Sequence, residues 1–225
     1  SINSNDLEDL LSVYSSDGFE GRQTGTKGDR TAANFLRDFY ISNKIGPALN
    51  TIDYFQPYQL NLPGKMYTFN YSFPSTLRGY DRYAQGDNFV DTQNVASIIK
   101  GEIYPDSYLI ITGHLDHVGI DGDEVYNGAD DNGSGTVSIL EIAQAFQEAV
   151  EDGVRPKRSI VFLHVSGEEE GLLGSEYYVN NSLYPLENTF ATLNLDMIGR
   201  TDPNRGYEDE EYFYSIGSDR ISKEL

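Results

Sequence analysis

The sequence predicts an α/β domain in which helices sandwich a mixed, mainly parallel sheet. Two observations predict it. From residue 94 onward, strand-like and helix-like segments alternate. Residues 158–167, RSIVFLHVSG, form a near-continuous apolar run, the pattern of a strand buried on both faces. A chain of 225 residues without a long apolar run fits a single domain over 1–225 with no membrane-crossing helix.

Each element has its own reason. SNDLEDLLSVYSS (4–16) opens on capping residues and reads as a short helix. Residues 26–46 hold a second, amphipathic helix, with Ala33, Phe35, Leu36, Phe39 and Tyr40 at helical spacing and Gly46 near its end. TIDYFQPYQLNL (51–62) and KMYTFNYSF (65–73) read as strands from their alternation and aromatic content, and 73–93 as a polar loop. NVASIIKG (94–101) and SYLIITGHLD (107–116) are strands. SGTVSILEIAQAFQEAV (134–150) is a helix with Ile139, Ile142, Ala143, Phe146 and Ala149 on one face. The strand at 158–167, a helix in GLLGSEYYVNNS (171–182) and a strand in TFATLNLDMIG (189–199) complete the series.

Acids outnumber bases 36 to 16, for a formal charge of −20. Nucleic acid and anionic membrane are therefore not expected partners, since both need basic patches. No cysteine is present, which excludes thiolate zinc sites and cysteine catalysis. No Gly-x-Ser-x-Gly elbow joins a strand to a helix, so a serine hydrolase is not expected either.

The polar residues that matter sit where apolar strands stop: His114 and Asp116 after YLIIT, Glu168 and Glu169 after IVFLHVSG, and Asp196 in LNLDMIG. Ligands of an open parallel sheet bind outside the carboxyl ends of its strands, so three strands deliver these groups to one rim. The NGADDNGSG loop brings Asp130 and Asp131 to the same rim. Imidazole and carboxylates without thiolate suit zinc. Taken singly, ADDNGSG is an ordinary turn and cap, and GEEEG an ordinary solvated acidic turn; it is the combination that points to a metal site. His164 reads as a hydrogen-bonded core histidine and His117 as loop packing or support behind a metal ligand. DGDE (121–124) and YEDEEYF (207–213) read as solvated loops.

TGHLDHVG, NGADDNGSG, SGEEEGLLGS and LNLDMIGR, in this order, closely resemble the motifs of the co-catalytic di-zinc aminopeptidase family, and FEGRQTGTKGDRTAANFL resembles that family's N-terminal segment. The resemblance spans residues 18–200 and implies the zinc-exopeptidase fold without a protease-associated insert. It implies two zinc ions, with His114 and Asp196 on the first, Asp130 bridging, Glu169 on the second, Asp116 orienting His114, and Glu168 as general acid and base. It places a cis peptide after the bridging aspartate. The family's second zinc takes a further histidine well downstream, whereas the histidines here are at 114, 117 and 164, so the catalytic domain is expected to be truncated at its C-terminus. The resulting expectation is a zinc aminopeptidase acting on peptides outside the cytoplasm, as a mature form without its signal peptide. The alternatives are a glutaminyl cyclase-like acyltransferase, which the His114-type ligand speaks against, and a non-catalytic peptide-binding module on the same scaffold.

Overall fold

The structure, a computed structural model, describes residues 2–61, 68–70, 89–202, 204 and 212–217. Helix α1 spans Ser4–Tyr14, and the Asn3 side chain caps it by accepting from Asp6 N. Helix α2 spans Lys27–Ser42 and is capped in the same way by Thr26. It closes through Asn43, with Lys44 at φ 58°, so Gly46 is not its stop signal and lies instead in the two-residue strand β1, Gly46–Pro47. Strands β2 (Phe55–Asn61), β3 (Thr68–Asn70), β4 (Phe89–Ile99) and β5 (Tyr104–His114) follow. Strand β4 begins five residues before the expected 94, inside the stretch read as loop, because its polar residues Thr92 and Gln93 are buried rather than solvated, with Thr92 Oγ1 donating to Asp29. The rest of that loop, and the ends of the 65–73 segment, lie outside the described residues.

The DGDE stretch is the turn of a small hairpin, β6 (Gly119–Asp121) with β7 (Glu124–Tyr126). Helix α3 (Gly135–Glu151), β8 (Arg158–Val165), α4 (Leu173–Asn180) and β9 (Thr189–Asn194) complete the chain of elements. The main sheet has the order β3-β2-β4-β8-β5-β9, with β1 against β4. It is mixed, as expected, but not mainly parallel, since four of its six strand pairings are antiparallel. The parallel part is confined to β8, β5 and β9, and strands β1 to β4 add an antiparallel wing.

Strand β8 shows why both faces are covered. Ile160 and Phe162 enter one core with α1, α2 and α3, while Val161, Leu163 and Val165 enter the other with Tyr178 and Tyr184. Alternate side chains thus meet helices on one side and the α4 region on the other, which accounts for the unbroken apolar run. Because β5 and β8 run parallel in the register His114↔Val165, and β5 and β9 in the register Thr112↔Asn194, the three strands stop at one rim.

No helix among the described residues is long and apolar enough to cross a membrane. His164 is fully buried with Tyr40 Oη 2.7 Å from its Nε2. Burial holds its pKa down from 6.5 to about 3. The unfolded chain therefore takes up this proton first, and stability falls as the pH drops below 6.5. His164→Asn is expected to remove that component, so the gap in unfolding free energy between parent and variant narrows by roughly 2 kcal/mol over the first one and a half pH units below that point. Urea unfolding across the pH series checks it, and a constant gap refutes it.

Candidate metal centre

The rim is built from four short connections. His114 is the last residue of β5, and its main-chain oxygen accepts from Thr136 Oγ1 at 2.7 Å, locking the strand end to the first turn of α3. Its Nδ1 faces the main-chain oxygen of Asp116 at 3.1 Å, with the Asp116 carboxylate farther, at 3.7 Å. Asp116 therefore orients the ring through its carbonyl rather than its side chain, leaving Nε2 turned into the rim. Around that nitrogen lie Asp131 Oδ1 at 3.1 Å, Asp196 Oδ1 at 3.7 Å and Glu168 Oε2 at 3.9 Å.

The Asp116 carboxylate, fully buried, does other work. It accepts from Thr24 Oγ1 at 3.0 Å, from Glu168 N at 3.2 Å and from Glu169 N at 3.4 Å. It thus caps the turn that presents both glutamates.

The two adjacent aspartates of the 127–135 loop differ sharply. The Asp130 carboxylate accepts from Gly199 N at 2.8 Å, Ser134 Oγ at 3.1 Å and Arg200 Nε at 2.6 Å. Its capacity is used in tying the loop after β9. Asp131, not the expected Asp130, faces His114, and the cis peptide is Asp131–Asn132 rather than one residue earlier. Gly128 takes φ 53°, and a Cβ there would stand 2.3 Å from the Asp131 oxygen and 2.6 Å from the His117 ring, so only glycine fits.

Donor atoms of His114, Asp131 and Glu169 all lie within 4.8 Å of one another. Zinc bonds of about 2.0–2.1 Å in a tetrahedron put neighbouring donors about 3.3 Å apart, close to the 3.1 and 3.7 Å separations around His114 Nε2. The nitrogen and oxygen donor set and its spacing therefore fit zinc. Burial alone would hold the His114 pKa down, but Asp116 and Asp196 outweigh it and push it up to about 10. A divalent cation taking Nε2 displaces that proton, which couples metal affinity to pH.

Two supporting residues were not singled out from the sequence. Asn132, almost fully buried, donates from Nδ2 to Leu195 O at 2.9 Å and accepts at Oδ1 from Gly135 N and Met197 N, stapling the Asp131 loop to the Asp196 loop. Thr24 holds Asp116 from the N-terminal segment. A polar residue directly after an acidic pair is the only signal that pointed to Asn132. His117, expected as packing or support, has its Nδ1 2.7 Å from Glu169 Oε1.

Comparison with known proteins gives the family. The sequence model of Peptidase family M28 matches residues 94–223, more than half of the chain. Aminopeptidase NAALADL1 of Mus musculus is 37% identical over 108 residues, covering 47% of this chain and 14% of that protein. Leupeptin-inactivating enzyme 1 of Streptomyces exfoliatus is 42% identical over 105 residues, covering 46% of this chain and 22% of that protein. The matched stretch is thus less than a quarter of either relative's length. The fold is similar to that of the aminopeptidase from Aneurinibacillus sp. strain AM-1, with a TM-score of 0.64 and 15% identity over 89% of this chain and 71% of that one.

The register of the aspartate pair is directly testable. Asp131→Ala is expected to weaken zinc binding by more than about 100-fold and Asp130→Ala by about tenfold, the scale of a lost supporting contact. Competition against a chromogenic chelator measures both, and the reverse order would restore Asp130 as the ligand.

Proposed function

The chain belongs to peptidase family M28, and we propose that it is a zinc-dependent exopeptidase that releases N-terminal residues from peptides. The observation that carries this reading is the gathering of His114, Asp131 and Glu169 within 4.8 Å, with Glu168 Oε2 3.9 Å from the same imidazole. His114, Asp131 and Asp196 would hold one zinc, and Glu169 a second, with Asp131 shared between them. Bound there, zinc supplies Lewis acidity toward a peptide carbonyl and a nearby water.

Glu168 is the group that moves the proton. Its carboxylate takes a proton from the attacking water and returns it to the leaving amine. Burial raises its pKa above the usual carboxylate value, and Glu169, Asp116 and Asp196 add to the rise while His114 opposes it. A raised pKa makes the carboxylate a stronger base toward the water, and a pKa nearer the working pH lets one group serve as base and then as acid. Its neighbour Glu169 is held by the same turn but is engaged by His117, a difference in surroundings that supports different roles for the two glutamates.

The aminopeptidase direction is supported by the cleft beside Asp196. It measures about 1000 Å³ and is lined by Asp196, Asp202, Met197, Ile198, Tyr212 and Tyr214, and by the Asp130–Arg200 pair, among others. Acids beside apolar and aromatic walls suit a residue that carries a free α-amine and a nonpolar side chain. The relatives named aminopeptidases support the same direction.

Hydrolysis of leucyl-p-nitroanilide by the zinc-loaded chain is the expected activity. Glu168→Gln is expected to lower kcat by about 10²–10⁴-fold while zinc content stays that of the parent. A parent that binds no zinc, or a variant with full turnover, sinks the proposal.

A further inference from the structure

Arg22 is fully buried, yet among the described residues no carboxylate pairs with it. Its guanidinium is spent on main-chain carbonyls instead. Nε donates to Leu115 O at 3.0 Å, Nη1 to Asn127 O at 2.7 Å and to Tyr14 O at 3.2 Å, and Nη2 to Gly128 O at 2.8 Å. The face of the group lies over the Tyr14 ring, 4.6 Å from its centroid, and the Tyr14 hydroxyl donates to the same Leu115 oxygen at 2.9 Å. The Arg22 carbonyl in turn accepts from His117 N at 3.2 Å.

The carbonyls it joins lie on three segments, the end of α1 at Tyr14 and the two loops that flank the β6–β7 hairpin. Leu115 sits between His114 and Asp116, and is itself anchored through its N–H to Val165 O at 2.8 Å. Asn127 and Gly128 lead into Asp131. The chain pays for this reach with strain: Glu20, Gly21 and Arg22 take φ of 51°, 63° and 52° in succession, and a Cβ at Gly21 would stand 2.3 Å from Gly119 O. Left-handed non-glycine residues persist only where their surroundings over-determine them.

We infer that Arg22 is a positioning residue of the metal centre, a clamp that fixes the separation of His114 and Asp131 by holding the Leu115 and Asn127–Gly128 carbonyls on one rigid fork. This rests on the zinc reading above. It concerns geometry rather than charge, and the two make opposite demands. A buried cation beneath the rim repels a divalent metal, so charge alone would have Arg22 weaken zinc binding. A clamp has it strengthen binding, because the ligands are then already spaced for the ion. Lysine keeps the charge but offers a point donor in place of a planar fork, and it cannot span carbonyls on three segments.

The test is Arg22→Lys in the full chain, read by zinc affinity against a chelator, the visible spectrum of the cobalt-substituted protein, and far-ultraviolet circular dichroism without metal. The expected result is an unchanged fold, zinc binding about 10–100-fold weaker and a shifted cobalt spectrum, the scale of a lost supporting contact. A purely structural role would lower the melting temperature and leave affinity and spectrum alone, which overturns the inference. Should Arg22→Lys not fold, Tyr14→Phe decides, since it removes one donor from Leu115 O and keeps the guanidinium. A few-fold loss of affinity upholds the clamp, and parental affinity and spectrum overturn it. A parent that binds no zinc brings down the zinc reading and the clamp together, whereas a parent that binds with an unaffected variant removes the clamp alone.

Discussion

The carboxylate of Asp116 is fully buried and stays there because three donors from distant parts of the chain converge on it: Thr24 Oγ1 from the N-terminal segment and the N–H groups of Glu168 and Glu169 from the turn after β8. An ionised group costs several kcal/mol to desolvate unless it is hydrogen-bonded in this way. The same residue turns the His114 ring with its main-chain oxygen. One residue therefore sets the orientation of the imidazole and of both glutamates, and the rest of the rim depends on it. Moving Asp116 would misplace three functional groups at once, though none of them touches it in the sequence.

The electrostatics follow from that arrangement. Five carboxylates surround one imidazole in a chain already at −20, and their charge raises the pKa of His114 and adds to the rise that burial gives Glu168. A divalent cation relieves the repulsion among those carboxylates, which is why the acids are tolerated so close together. Arg22 stands just beneath and feels Asp116, Asp131 and Glu169, but shares no direct contact with them. Its hydrogen bonds go to the carbonyls that carry the loops, so the acids keep their lone pairs facing the rim.

Much of this was readable in the sequence because strand ends are easy to see. Apolar runs stopping at His114, at Val165 and near Asp196 marked the rim, and parallel pairing of β8, β5 and β9 does bring those ends together. The failures have one physical origin: identity of neighbours. Asp130 and Asp131 are chemically the same and adjacent, and only the third dimension shows that Gly199, Ser134 and Arg200 occupy the first and leave the second for His114. Likewise β4 was begun too late, at Asn94, because Thr92 looks like a loop residue. It is buried, with Oγ1 donating to Asp29 at 2.7 Å and to Ser166 at 3.0 Å. Polarity signals solvent only when the partner is unseen.

That second network extends the logic of the rim inward. Asp29, also fully buried, accepts from Gly25 N, Thr92 Oγ1 and Ser166 Oγ, and burial pushes its pKa up to about 7. Ser166 is two residues before Glu168, so the turn that presents the glutamates is held from above by Asp116 and from below by Asp29. Both carboxylates reach it from the segment that carries Arg22, or through a threonine of that segment. The residues near 22–29 thus act as a buried polar plate under the rim, and the exposed acids above it are free to differ in role. The groups proposed as ligand and base belong to the upper tier. The lower tier cannot be altered without unmaking the fold, because each of its groups satisfies a buried partner that has no water to turn to.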